Sequence, residues 1–212
     1  LDYLQSTIIF FCSDNGASTE MMNRADRHTI GSVPGSADSY LCLGPGWSTA
    51  ANTPFRLHKT WVHEGGIATP MVVHWPEKIR DANSFRDMPS HIIDIAPTLL
   101  ELAGGNADEL DSRFEAPGIS LVPFFDRNVT RERPPLFFHH EKKNALRSGR
   151  WKIVTIDQGE PWELYDLSAD RGETNDLAGK NPGILGEMVA LWESLRTEII
   201  EQIRDTTVVH SP

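Results

Sequence analysis

The apolar run Ile8-Ile9-Phe10-Phe11 stops within two residues at Ser13-Asp14-Asn15-Gly16, which sets a carboxylate beside an amide carbonyl. Both side chains present oxygen, the ligand that hard cations such as Ca2+ and Mg2+ take. A histidine next to the aspartate would bring nitrogen and favour zinc, whereas Asn15 keeps the set all-oxygen and favours calcium or magnesium. Two ligands do not complete such a site, and further carboxylates have to come from elsewhere. The same four residues also suit an ordinary turn, because Asp, Asn and Gly are turn formers. Further along, Lys59 precedes the apolar-flanked Glu64-Gly65-Gly66 turn. An ammonium at the same strand end would hold an anionic ester oxygen near a cation; a solvated surface lysine is the alternative. Glu64 reads as a structural carboxylate bonding the loop backbone. His63 beside it is open to either role, as is the pair His139-His140 at the end of a later strand.

These residues need elements to position them. Residues 8–11 are β-branched and aromatic without a polar break, the pattern of a strand buried on both faces in a parallel sheet. Ligands of open α/β sheets gather at the carboxyl ends of strands, where Ser13-Asp14-Asn15-Gly16 falls. Residues 17–52 are rich in Gly, Ser, Pro, Asn and Thr and read as a long loop. Residues 71–75 form a second apolar strand ended by Pro76. Asp94 then fits a helix N-cap, Pro97 its first turn, and Ile95, Leu99 and Leu102 one face before Gly104 and Gly105. This order predicts an α/β layer. Beyond residue 126, strand candidates at 136–139, 150–156 and 162–167 follow one another without a helix, which predicts an antiparallel sheet. A last helix opens at Asn181-Pro182, with Leu185, Met188, Trp192, Leu195, Ile199 and Ile203 as a stripe for packing on that sheet. The expected division is residues 1–126 and 127–212.

Over 212 residues the formal net charge is −10, which argues against a nucleic-acid surface. No apolar stretch approaches the roughly 20 residues of a membrane span. Cys12 and Cys42 make neither a disulfide framework nor a zinc site. The sequence opens on Leu1 and enters a strand almost at once, so a fragment or a processed product is expected.

Five motifs in order carry a resemblance: SDNG (13–16), NTPFRLHKTWVHEGGIATPMVVHWP (52–76), DIAPTLLELAG (94–104), NALRSGRWKIV (144–154) and WELYDLSADRGETNDLA (162–178). Together they resemble the C-terminal portion of a type I sulfatase of the arylsulfatase branch. The resemblance implies a partial alkaline-phosphatase-like α/β fold, followed by a subdomain of small antiparallel sheet and long terminal helix. It also implies hydrolysis of small-molecule or glycan sulfate esters with Ca2+ and a formylglycine nucleophile, and a periplasmic or secreted setting. Asp14 and Asn15 take the calcium roles, Lys59 the sulfate contact, and His63, His139 and His140 the substrate rim. The maturation motif is absent: Cys12 continues as Ser-Asp-Asn and Cys42 as Leu-Gly-Pro-Gly. The nucleophile, two more calcium carboxylates and the other sulfate-binding residues are therefore expected in a preceding N-terminal part, and the chain alone is expected to be inactive. The rivals are a phosphonate monoester or phosphodiester hydrolase of the same superfamily, and a non-catalytic binding module.

Overall fold

The computed structural model describes residues 3–20, 27–105, 118–157 and 161–208. Two antiparallel sheets organise them. Strand β1 (Ile9–Cys12) pairs with β2 (Met71–His74), with Phe10 opposite Val73 and Phe11 opposite Val72. The expected parallel strand buried on both faces is thus corrected. Alternation decides it: Phe10, Met71 and Val73 face a core built on Met88, Leu121, Phe124 and Phe125, while Phe11 and Val72 on the opposite face are 72% and 58% exposed.

Residues 17–52 are not wholly loop, because α1 spans Gly44–Asn52. Its Gly, Ser, Thr and Asn content gives low helix propensity. Tertiary bonds supply what propensity lacks: the buried Ser48 Oγ donates to the Ala17 carbonyl, and Asn52 accepts from Ala17 N–H and donates to the Leu57 carbonyl. Next come the short α2 (Glu64–Ile67), a 3-10 turn at Ile92–Asp94 and α3 (Ile95–Leu102). Asp94 stands at the N-cap position of α3 as read, but its carboxylate makes no capping bond to that helix and is used elsewhere. It accepts from His91 N–H and Ile119 N–H and pairs with both terminal nitrogens of Arg133.

The C-terminal half holds a sheet in the order β3 (Leu136–His140), β4 (Lys143–Ser148), β5 (Trp151–Thr155), β6 (Glu163–Asp166). Every neighbour is antiparallel, as expected, and β4 is a strand the composition left unassigned. One face carries Leu146, Ile153 and Leu164 against Met188, Leu185, Trp192 and Leu195 of the terminal helix α4 (Pro182–Val208). The stripe ends there: Ile199 and Ile203 are 36% and 59% exposed. The other face carries Ala145, Val154 and Tyr165 against Val62 of the first half. Among the described residues no helix is long and apolar enough to cross a membrane.

Candidate active site

The turn after β1 is fixed by backbone contact with α2. Gly16 N–H donates to the Gly66 carbonyl at 2.9 Å, and a Cβ on Gly16 would lie 1.8 Å from the Gly65 carbonyl oxygen. Gly65 and Gly66 are equally crowded by the carbonyls of Arg56 and Trp61, at 2.2 and 2.0 Å from the Cβ each would carry. Three glycines let two loops touch through their main chains. Lys59 N–H donates to the Ala17 carbonyl, so the lysine is tied to the chain just beyond the Asp14-Asn15 turn. Its neighbours Leu57 and Thr60 sit at φ +67° and +78°. Such angles are costly for non-glycine residues and persist where the surroundings over-determine them.

A cleft of about 400 Å3 opens at this point, within the usual size range of ligand pockets. Asp14, Asn15 and Lys59 line one side, and His139 and His140 from the end of β3 line the other. Asn15 donates its amide N–H to the Gly16 carbonyl, which leaves its side-chain oxygen for another partner. His139 Nδ1 lies 2.7 Å from Asn144 Oδ1. In kind, the oxygens of Asp14 and Asn15 suit a hard cation; in number, two fall short of the six to eight that Ca2+ takes. No group of three or more His, Cys, Asp or Glu is placed for a metal among the described residues.

Two lining residues escaped the sequence reading. Trp61 stands two residues past Lys59, with Lys143 Nζ 5.3 Å from its ring centroid. His91 lines the cleft edge-on to Phe138, with ring centroids 5.6 Å apart. Its Nδ1 accepts from Ile93 N–H. Burial lowers its pKa below the usual histidine value, Asp94 opposes that and Arg133 adds to it. The His91-Ile-Ile-Asp94 spacing of a reciprocal cap was the available signal.

His63 is a correction. It is fully buried and spends Nε2 on Glu163 Oε2 at 2.9 Å, so it belongs to a clamp behind the cleft. Glu64 is structural as read, but its carboxylate pairs with Lys152 and Arg171 instead of the loop backbone. Lys152 Nζ donates to Glu64 Oε1 at 2.9 Å and lies 2.8 Å from Glu173 Oε1, an ion pair whose angle falls outside a hydrogen bond. Glu173 Oε2 accepts from Glu64 N–H. Arg56 reaches Tyr165 Oη and the Glu173 carbonyl. The bond from His63 is the main cause lowering the pKa of Glu163; burial opposes it and Tyr165 adds to it. Burial and the bond to Glu163 raise the Tyr165 pKa. The segment carrying Lys59 is thus fastened to β5, β6 and the Glu173 loop.

The comparisons with known proteins agree with this architecture. Residues 55–204 match the family described as N-sulphoglucosamine sulphohydrolase, C-terminal, and residues 1–105 match the family described as Sulfatase. The chain belongs to the sulfatase family. Among its relatives, an uncharacterized sulfatase of Schizosaccharomyces pombe is 29% identical over 89% of the chain and 37% of that protein. Human arylsulfatase A is 25% identical over the whole chain and 41% of that protein. Two solved structures share the fold: Ps i-CgsB, at 24% identity and a TM-score of 0.65 over 92% of this chain and 37% of that one, and BT4656 in complex with its substrate D-glucosamine-2-N,6-O-disulfate, at 22% identity and 0.58 over 95% and 35%. The chain therefore spans about two fifths or less of the length of these relatives, and its fold is a partial sulfatase fold.

Proposed function

We propose that the protein carrying this chain is a sulfuric ester hydrolase, converting R–O–SO3− and water into R–OH and hydrogen sulfate. The observation that carries the reading is the joint lining of one cleft by Asp14, Asn15, Lys59, His139 and His140 in a member of the sulfatase family. Lys59 binds the sulfuryl oxygens, and its ammonium opposes the charge that gathers on them as the ester bond breaks. Asp14 and Asn15 would hold a Ca2+ ion, whose chemistry when bound is to draw electron density from the sulfuryl group. His139 and His140 contact the alcohol side of the ester. A formylglycine would supply the nucleophile; neither Cys12 nor Cys42 lies in its maturation pattern, so that residue and the remaining calcium carboxylates belong to an N-terminal part of the same protein. The same reading divides the chain into a catalytic part, 1–126, and a subdomain, 127–212.

A sulfated glycan is the substrate class we favour. The support is that BT4656 binds a disulfated glucosamine and that another relative is named N-acetylgalactosamine-6-sulfatase, from mouse. The acidic balance and the family likeness suit a periplasmic or secreted protein. Sulfate release by the whole protein from an aryl sulfate and from a sulfated monosaccharide is the test. Lys59→Ala should lower kcat/KM by about a hundredfold or more, the size of effect seen when one transition-state donor is removed. Asp14→Ala should abolish the activity gained on adding Ca2+. Activity that survives both changes would reject the assignment.

A further inference from the structure

A second cavity, of about 630 Å3, opens at the other end of β3 from His140. Leu136 lines it and His140 lines the first cleft, four residues away, or about 13 Å along an extended strand. The two cavities are therefore separate places. Four guanidinium groups line the second one, those of Arg131, Arg133, Arg147 and Arg150, against the single carboxylate of Glu132.

Two of these arginines are committed within the fold. Arg133 is paired with Asp94, with only 6% of its side chain exposed, and its Nε–H is buried without an acceptor. Arg150 is paired with Asp166. Arg147 is different. It stands beside Lys152 and Leu136 on the sheet face turned away from α4. Its one hydrogen bond is a long contact from Nε to the Gly149 carbonyl at 3.4 Å, and among the described residues no carboxylate pairs with it. Its surroundings disfavour the charge: burial lowers the Arg147 pKa, and Arg171 and Arg133 add to that, with Glu64 opposing. Arg131 is likewise without an ion-pair partner among the described residues, at the exposed rim. An unneutralised, half-buried guanidinium in a roomy cavity is the environment that binds an oxyanion, because its fork of N–H donors matches two oxygens of a tetrahedral group.

We propose that this cavity is a second oxyanion site, with Arg147 as its principal donor and Arg131 as its outer one, taking a sulfate-type group supplied either as the free ion or on a sugar ester. The site is independent of the catalytic roles assigned above.

The test is titration of the chain with sodium sulfate at constant ionic strength, followed by NMR through the arginine Nε and tryptophan indole signals. Arg147 and Trp151 should shift saturably. Arg147→Gln should weaken the affinity about tenfold or more, the loss of a charge-assisted bidentate contact. Arg147→Lys should fall between that variant and the parent, Arg131→Gln should weaken binding less, and Lys59→Ala should leave it unchanged. The Arg131 change lies at the exposed rim and Arg147→Lys keeps the charge, so these two decide the matter if Arg147→Gln does not fold. Glucose 6-sulfate, titrated in parallel, separates the sources: equal or tighter binding than sulfate assigns the site to esters, and weaker binding assigns it to the free ion. Shifts that do not saturate, arginine variants that titrate like the parent, or loss of all binding in Lys59→Ala would overturn the proposal.

Discussion

Lys152→Met asks how firmly the clamp behind the cleft depends on charge. Methionine keeps the apolar stem and removes the ammonium, leaving the side chains of Glu64 and Glu173, 3% and 0% exposed, without the cation between them. Removing one partner of a buried pair costs about 3–5 kcal/mol, because the remaining charge stays desolvated. Arg171 still reaches Glu64 Oε2 and Glu173 Oε2 still accepts from Glu64 N–H, so a loss of about 3 kcal/mol at pH 7 is expected, the lower end of that range. At a urea slope of about 2 kcal/mol per molar, the unfolding midpoint falls by about 1.5 M. The pH dependence gives an independent check. In the parent, burial works to raise the Glu64 pKa, but Lys152 and then Arg171 outweigh it and the folded value lies below 4.5. That carboxylate adds stability that is complete above its unfolded value and lost as the pH falls through the lower folded one. Without Lys152 burial dominates, the folded value rises above the unfolded one, and the variant takes up a proton on folding. Its stability then rises on acidification while the parent's does not, so the two urea midpoints converge between pH 7 and about 4.5. A loss under about 1 kcal/mol at pH 7, or parallel pH profiles, would refute the argument.

Gly16→Ala should lower stability by about 1–3 kcal/mol in thermal unfolding, since its Cβ would overlap the Gly65 carbonyl at 1.8 Å and neither backbone can give way alone. Gly186→Ala, within α4 and with nothing inside 4 Å of its Cβ, should instead raise stability by about 0.5–1 kcal/mol. For His91, the folded pKa is lowered from 6.5, so the stability it contributes is complete above that value and declines as the pH falls through the folded one. Urea midpoints measured from pH 7.5 down to 5 should show that decline in the parent and a flatter profile in His91→Gln.

What the sequence disclosed depended on whether a signal was local. Asn181-Pro182 marks a helix start through two residues, and α4 begins there. The antiparallel sheet of the second half was legible because its strand candidates follow one another along the chain with no helix between them. By contrast, Ile8 to Phe11 looks buried on both faces only because every residue is apolar. Which faces are covered is a tertiary fact, and Phe11 lies exposed. Helix α1 was hidden for a related reason: Ser48 and Asn52 stabilise it through bonds to Ala17 and Leu57, and composition records no such partner. In the cleft, Asp14, Asn15 and Lys59 stood out by residue type, whereas Trp61 and His91 are reached only once β3 folds across them.

The residues that sequence reading found hardest to place explain why the cleft has a fixed shape. His63 and Glu64 belong to a motif that suggests chemistry, yet their side chains turn to Glu163, Lys152 and Arg171 in the second half. Those partners lie about 90 to 110 residues away along the chain, at separations of 100, 88 and 107. Lys59, four residues before His63, inherits its position from this clamp and from the Ala17 carbonyl. Position at a binding site is worth as much as chemical identity, since small displacements of a charge-stabilising group erode its effect. Loosening the clamp should therefore move Lys59 without touching it. In the whole protein, Lys152→Met should lower kcat/KM for sulfate esters by at least about tenfold, even at temperatures where the variant remains folded. Unchanged kcat/KM in a folded Lys152→Met protein would show that Lys59 is held by the β1 turn alone.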